Sequence, residues 1–140
     1  MNAPATFEAL SAALAGSWFG PGTGEYPTIE TFGYLETATF TPVPGKPFLA
    51  YGQRTTHADD GRPLHVETGY VRVPEPGRIE LVLAHPTGVV EIEEGSFRIV
   101  DDRLELSLTS TAVATSTTAK DVRTLTRDIV VDLRSRMLHY

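Results

Sequence analysis

The chain has 140 residues, a formal net charge of −6 at pH 7, 41% hydrophobic residues and no cysteine. This length suits one domain with a sizeable core, so we expect a single domain over residues 1–140. The acidic balance argues against nucleic acid and anionic membranes as partners, and the lack of cysteine excludes disulfides and thiolate-bound metals. Neither a membrane-spanning apolar run nor a signal peptide is evident, which predicts a cytoplasmic protein.

The N-terminal segment predicts the single helix of the chain. Thr6 is a suitable N-cap, and Phe7, Leu10 and Leu14 recur at helical spacing. Gly16 is suited to end this helix, because glycine readily adopts the backbone conformation found there. We therefore expect one short N-terminal helix over residues 6–15.

A glycine-rich strand follows. Gly16, Gly20 and Gly22 alternate around Trp18, the only tryptophan of the chain. Repeated glycines weaken a strand interior and indicate a bend, a barrel corner or a close approach by a ligand. A tryptophan ring at this place is well suited to plug one end of a small barrel, so the segment predicts a β-barrel that encloses something.

The remainder is typical of short strands separated by tight turns. The predicted strands cover residues 32–40, 47–57, 64–73, 78–85, 89–93, 95–100, 103–109 and 120–133, with another beginning at 137. The small, polar residues 111–119 predict a mobile loop. This pattern favours an all-β protein, an antiparallel up-and-down β-barrel of about ten strands with an interior pocket.

Histidines and carboxylates remain as candidate site residues. His85 shares strand parity with the apolar residues of 78–85, so it should point into the barrel, either as a hydrogen-bonded structural residue or as part of a ligand pocket. The alternation around His65 is too weak to fix its direction, and Glu67, which has the same parity, is its candidate partner.

The other candidates give weaker signals. His57 stands beside an acidic turn and predicts a solvated strand end, whereas His139 fits a surface or a pocket position equally. Glu91 and Glu93 alternate with apolar residues and predict a solvated face. No metal-ligand spacing, nucleophile elbow or phosphate loop is evident. The residues alone thus predict a barrel with a largely apolar, histidine-containing pocket.

Taken together, the motifs resemble those of one family. The glycines and tryptophan of 16–22, followed by Tyr-Pro-Thr-Ile at 26–29, resemble the signature of nitrobindins, haem-binding relatives of the fatty-acid-binding-protein barrels within the calycin group. The likeness continues through 32–36, 45–49, 63–70, 79–88 and 119–122 and is closest to mycobacterial and actinobacterial members. Gly-x-Trp alone is weak because lipocalins share it, but the ordered set is specific.

The resemblance implies a ten-stranded barrel that holds haem b in its mouth. The ferric iron of such a protein binds nitric oxide and isomerises peroxynitrite to nitrate, so that no side chain is itself catalytic. By matching position, Thr28 and Lys120 are expected to contact the haem, and Leu64, His65 and His85 to line the cavity. The protein is expected to be a monomer or a homodimer.

One part of the family pattern is not in this sequence. The family's axial histidine lies on the last strand, beyond the segment that matches Leu138 to Tyr140. We therefore expect the iron ligand and the closing strand in residues after Tyr140; a form without them would bind haem weakly and leave a sheet edge unpaired. The alternative is a fatty-acid-binding-type carrier of a small apolar ligand, with no iron chemistry.

Overall fold

A computed structural model of the protein describes residues 2–26, 29–119, 126–133 and 137–139. Its elements are β1 (Asn2–Ala3), α1 (Phe7–Leu14), β2 (Gly16–Tyr26), β3 (Ile29–Pro42), β4 (Phe48–His57), β5 (Pro63–Arg72), β6 (Arg78–His85), β7 (Val89–Val100), β8 (Arg103–Thr115), β9 (Thr126–Asp132) and β10 (Met137–His139).

The sheet is one antiparallel meander. Strands β2 to β10 lie side by side in chain order, and the short β1 pairs with β7. The sheet curls so that one face of each strand is enclosed, which confirms the all-β, up-and-down architecture. The described residues contain one short helix, as predicted. Within the described ranges, β2 and β10 are the two ends of the meander and do not pair with each other.

The N-terminal helix plugs one end of the curled sheet, which we name the helix end. The Thr6 hydroxyl accepts the Ala9 N–H at 3.2 Å, and Gly16 follows the helix with a φ of 120°. The indole of Trp18 is buried and donates to the Leu14 carbonyl at 2.8 Å. The predicted cap, the end of the helix and the plugging role of the tryptophan are therefore confirmed.

Two strand predictions need correction. The segments 89–93 and 95–100 form one strand, β7. The predicted loop at 111–119 is wrong for 111–115, which extend β8, whereas residues 116–119 do lie outside the strands. Small side chains do not prevent strand pairing, and Val113 lies opposite Glu91. Of the predicted strand 120–133, residues 126–132 form β9, whereas 120–125 lie outside the described residues.

Two glycines permit the tight curl of the sheet. A Cβ on Gly69 would lie 1.8 Å from the Val82 carbonyl oxygen, and one on Gly95 equally close to that of Ser107. Gly69 pairs with Leu83 of β6, and Gly95 pairs with Leu108 of β8. A side chain on either glycine would therefore clash with the backbone of the neighbouring strand. Only a residue without a side chain allows the backbones to approach in this way.

The other end of the curled sheet, which we name the mouth, carries the turns at 58–62 and 86–88. There the Gly88 carbonyl accepts the Ser116 N–H at 2.8 Å, which joins the β6–β7 turn to the segment after β8. The end of β2 and the start of β3 also meet here, because Tyr26 pairs with Ile29. In the described part of the chain, no helix has the length and apolar character needed to cross a membrane.

Candidate functional site

Three carboxylates enter the interior near the mouth. Glu67, Glu91 and Glu93 are 2%, 2% and 0% exposed, so the predicted solvated face of Glu91 and Glu93 is wrong. Glu91 pairs with the inward-facing Leu83 of β6, and directly opposed residues of neighbouring strands share a face. The apolar residues that alternate with these glutamates, Val90 and Ile92, are the ones that face outward.

Arg127 of β9 holds these carboxylates together. Its Nη1 and Nη2 donate to the two oxygens of Glu67 at 2.9 and 3.1 Å, and its Nε donates to Glu93 at 2.8 Å. The paired contacts with Glu67 have the bidentate geometry that a planar guanidinium favours. The Tyr51 hydroxyl donates to the same Glu67 at 2.7 Å. Neither Arg127 nor Tyr51 was predicted from the sequence, since no local motif marks them.

Two imidazoles complete the cluster. His85 Nε2 lies 2.7 Å from Glu91 Oε1, and His65 Nε2 lies 3.4 Å from Glu67 Oε2. The inward direction of His85 and the pairing of His65 with Glu67 are thus confirmed. The ring centroids are 5.3 Å apart, and the His65 side chain is 42% exposed against 10% for His85, so His65 is the more open to solvent.

We name this cluster the polar chamber; its members are Tyr51, His65, Glu67, His85, Glu91, Glu93 and Arg127. The predicted largely apolar pocket is therefore wrong around the histidines, because the inward-facing neighbours are charged. The sequence shows no metal-ligand spacing, yet the fold brings donor atoms of His65, Glu67 and His85 to within 4.8 Å of one another. A search for metal-ligand spacing in the sequence does not find this group, because His65 and Glu67 lie on β5 whereas His85 lies on β6.

The chamber shifts the pKa values of its carboxyl groups in opposite directions. Burial alone would raise the pKa of Glu67, but the hydrogen bonds from His65, Arg127 and Tyr51 and the charge of Arg127 outweigh burial and hold it well below its usual range. For Glu93, burial dominates and the neighbouring charge of Glu91 adds to it, so that the pKa is raised to about 7 despite the attraction of Arg127.

The charge of the chamber is not balanced by its own residues. Burial would lower the pKa of Arg127, but its contacts with Glu67 and the charge of Glu93 outweigh burial and raise it above its ordinary value, so Arg127 stays charged. One guanidinium thus faces three carboxyl groups. Glu91 Oε2 and Glu93 Oε1 are buried and have no hydrogen-bond partner within the described ranges.

The remaining predicted site residues lie apart from the chamber. Leu64 is the half-buried extra residue of a β-bulge, since Thr55 pairs with His65 and Thr56 with Pro63. Thr28 and Lys120 lie outside the described residues. His57 does end a strand, but its ring is only 12% exposed and accepts the Asp59 N–H at 3.2 Å, so the predicted solvation of that side chain is wrong.

The signature glycines and the tryptophan lie on β2, and two of these residues, Gly16 and Trp18, are at the helix end. Gly16 pairs with Phe40 and Trp18 with Ala38, next to α1. Gly20 and Gly22 follow along the same strand, opposite Glu36 and Tyr34. His139 lies in β10, and its side chain lies outside what the structure describes.

Fold and sequence comparisons define the class of this protein. The model of the family described as "THAP4-like, heme-binding beta-barrel domain" matches residues 8–140, and the chain belongs to this family. The resemblance to nitrobindins noted from the sequence motifs is confirmed. The chain therefore carries a haem-binding β-barrel domain.

Individual relatives are similar over most of their length. The chain is 53% identical to "Peroxynitrite isomerase 2" of Mycobacterium avium over 124 residues, which are 89% of this chain and 76% of the relative. It is 51% identical to "Peroxynitrite isomerase" of Nocardia farcinica, over 88% of this chain and 73% of the relative. The crystal structure of Rv2717c from M. tuberculosis superposes with a TM-score of 0.82 at 50% identity, covering 93% and 81% of the two chains.

Proposed function

We propose that this protein binds haem at the mouth of its barrel and acts as a peroxynitrite isomerase. The observation that carries the proposal is the identity above 50%, over nearly nine-tenths of the chain, to relatives that bear this name. The match to a haem-binding family over residues 8–140 supports the cofactor. The cavities of the structure help to choose between the two ends of the barrel as the place for the haem.

The helix end of the interior offers no space for a haem, and we therefore propose the mouth as its site. Near the helix end the enclosed cavity measures about 20 Å³ and is lined by packed side chains such as Phe40, Val71 and Leu81. That volume is far below the hundreds of Å³ that a cofactor site needs. At the mouth, in contrast, the interior is lined by His65, whose side chain is 42% exposed, and His85, whose side chain is 10% exposed, so a cofactor held there would have one edge near solvent.

The predicted haem contacts are compatible with this placement. The pairing of Tyr26 with Ile29 brings the two ends of the segment that contains Thr28 to the mouth. The contacts of Ser116 with Gly88 and with Ala119 bring the chain to the mouth just before Lys120. We therefore propose that Thr28 and Lys120 contact the haem, with Leu64, His65 and His85 lining its cavity.

The protein's own contribution to the reaction is binding, orientation and charge control. When bound, ferric haem supplies an iron centre at which peroxynitrite is converted to nitrate and nitric oxide binds. Glu91 fixes the ring of His85, while Arg127 and Tyr51 hold Glu67 in place. These contacts fix the orientations of the polar side chains that would face a haem at the mouth.

The finer assignments follow from composition and family pattern. We propose haem b, because a chain without cysteine cannot attach haem covalently through thioether bonds. We further propose that the axial histidine is supplied by residues that follow Tyr140, that the protein is cytoplasmic, and that it is a monomer or a homodimer. Light scattering and cell fractionation test the last two assignments.

The experiment is a haem titration followed by absorption spectroscopy. Haem is added to the purified protein with this sequence and to the same protein extended by the residues that follow Tyr140 in its gene. We expect a Soret band of stoichiometric ferric haem in the extended protein, its shift on addition of nitric oxide, and faster peroxynitrite decay with a higher yield of nitrate.

Absence of a Soret band in both proteins would overturn the proposal. Displacement of a fluorescent lipid probe by fatty acid, without any response to haem, would instead favour the apolar carrier. The small cavity near the helix end leaves no room for an acyl chain in that half of the barrel.

A further inference from the structure

One oxygen of the polar chamber faces two imidazole nitrogens at distances that suit a metal better than a hydrogen bond. Glu67 Oε2 lies 3.4 Å from His65 Nε2 and 3.6 Å from His85 Nδ1. Good N–H···O bonds span about 2.7 to 3.2 Å. In contrast, two ligand atoms of a four-coordinate Zn²⁺, each about 2.1 Å from the metal, are separated by roughly 3.4 Å.

The contact of His85 with Glu91 suits coordination of a metal through the other ring nitrogen of His85. His85 Nε2 lies 2.7 Å from Glu91 Oε1, so that carboxylate is placed to accept the Nε2–H of a metal-bound imidazole. His85 Nδ1, the nitrogen that would then ligate the metal, lies 3.6 Å from Glu67 Oε2. A histidine that ligates a metal commonly donates its other ring N–H to a carboxylate in this way.

Glu67 keeps a lone pair for a cation after its hydrogen bonds are counted. A carboxylate has about four acceptor positions. Tyr51 and Arg127 Nη1 occupy two on Oε1, and Arg127 Nη2 occupies one on Oε2. The remaining position on Oε2 faces the two imidazoles and holds only the long 3.4 Å contact with His65 Nε2, which a metal between the two atoms would replace.

The charge of the chamber also favours a cation. Three buried carboxyl groups share one guanidinium, and two of their oxygens have no hydrogen-bond partner in the described part of the chain. Buried carboxylates are costly unless a positive charge or a metal compensates them. A divalent ion would bring the net charge of the fully ionised cluster to zero.

We propose that the polar chamber binds one divalent transition-metal ion of the Zn²⁺ type through His65 Nε2, Glu67 Oε2 and His85 Nδ1. The fourth coordination position is open to the side of the half-exposed His65. The proposed ion is additional to the haem iron, although two of its ligands also line the proposed haem cavity, and the proposal does not rest on haem binding. Two imidazoles and one carboxylate suit Zn²⁺, Co²⁺ or Ni²⁺, whereas Mg²⁺ and Ca²⁺ prefer oxygen ligands.

The test is a metal titration of the purified protein, stripped with a chelator and before any haem is added. Calorimetry with Zn²⁺ is expected to show one ion per chain, with release of protons. Co²⁺ is expected to give the intense visible bands of four-coordinate cobalt. Mg²⁺ and Ca²⁺ at the same concentrations are expected to give no heat of binding.

Variants separate this site from adventitious binding. His65→Ala and His85→Ala are each expected to weaken Zn²⁺ binding by more than about 100-fold, and Glu91→Gln by about 10-fold or more. His57→Ala is the matched control: this histidine also lies at the mouth, beside Asp59 and Asp60, and its loss should leave the titration unchanged. Thermal unfolding without metal checks that each variant is folded.

Three results would overturn the proposal: no binding of Zn²⁺ or Co²⁺, binding that survives both chamber substitutions, or binding that His57→Ala abolishes. A doubly protonated His85 at pH 7 in nitrogen NMR of the metal-free protein, unchanged by Zn²⁺, would show that a proton occupies the position instead. A missing Soret band bears only on the haem proposal, so the two failures are distinguishable.

Discussion

The two halves of the barrel interior are built from the same strands but differ in chemistry. Strand β5 supplies Val71 to the helix end and Glu67 to the mouth, and β7 supplies Phe97 and Glu91 in the same way. The helix end is a packed apolar core, whereas the mouth is a network of charges. Secondary structure therefore decides only which side chains point inward, and the residue chosen at each inward position decides what that part of the interior does.

The two halves also differ in their contribution to stability. Burial of apolar side chains at the helix end stabilises the fold, at about 25 cal/mol per Å² removed from water. Buried ion pairs are often no better than apolar residues of the same shape, because desolvation offsets their attraction. The chamber is thus better explained by binding than by stability, and the following substitutions probe that difference in order of expected effect.

Arg127→Met should have the largest effect. It leaves Glu67, Glu91 and Glu93 without their cation, and breaking a buried ion pair on one side costs about 3–5 kcal/mol. We expect this loss in urea unfolding at pH 8 and a smaller loss at pH 5, where the carboxyl groups take up protons more easily. The control Arg98→Met removes an exposed pair with Glu105 and should cost less than about 1 kcal/mol. Equal losses at both pH values would contradict this account.

Leu49→Ala should have a large effect that does not depend on pH. Leu49 is fully buried at the helix end and pairs with Val71, so its truncation removes apolar contacts and leaves a cavity. We expect a loss of about 3 kcal/mol in the free energy of unfolding, the same at pH 5 and pH 8. The same substitution at Leu35, which is 52% exposed, should change it by less than about 0.5 kcal/mol.

Glu93→Gln should stabilise the metal-free protein at high pH. The pKa of Glu93 is raised by burial to about 7 in the folded chain, above the ordinary value of 4.5, so the folded state binds the proton more tightly than the unfolded state does. The stability of the parent protein therefore falls as the pH rises from about 4.5 to 7, and the variant avoids this loss. We expect a gain of about 2 kcal/mol at pH 8 and little change at pH 5.

Unfolding curves in urea with a chelator present, recorded from pH 5 to pH 8, measure this effect. The exposed Glu75 offers a control, because Glu75→Gln should leave the pH profile of stability unchanged. A Glu93→Gln profile parallel to that of the parent would show that Glu93 does not titrate in this range.

Thr6→Ala should have the smallest effect. The hydroxyl caps α1 by accepting the Ala9 N–H, and loss of such a cap costs about 1 kcal/mol. Thr87→Ala, in the exposed turn at the mouth, should cost little by comparison. Thermal unfolding of the two variants side by side measures the difference, and equal midpoints would mean that the cap does not stabilise the helix.

Local patterns were sufficient for much of the fold and for part of the site. The helix with its Thr6 cap, the run of antiparallel strands and the inward direction of His85 all depend on nearest neighbours along the chain. The partner of His65 also followed from strand parity, since Glu67 is two residues away. The family motifs added the haem-binding class, which composition and periodicity do not show.

The interior face of β7 could not be obtained from its own sequence. In Val-Glu-Ile-Glu the apolar residues indicate the buried face, yet Val90 and Ile92 are exposed and the glutamates are buried. The pairing with β6 determines which face of β7 is inward. Leu83 lies opposite Glu91, so both side chains are on the same face of the sheet, and Leu83 is buried. Arg127, 34 residues further on than Glu93, makes that burial possible.

The sequence by itself thus determined most of the strands, the helix, the absence of disulfides and the family, because these depend on local spacing and composition. Only the tertiary structure decided that two histidines, three glutamates, a tyrosine and an arginine form one polar chamber. The physical reason is that a buried charge is tolerated only beside its partners, and these partners come from strands far apart in the chain.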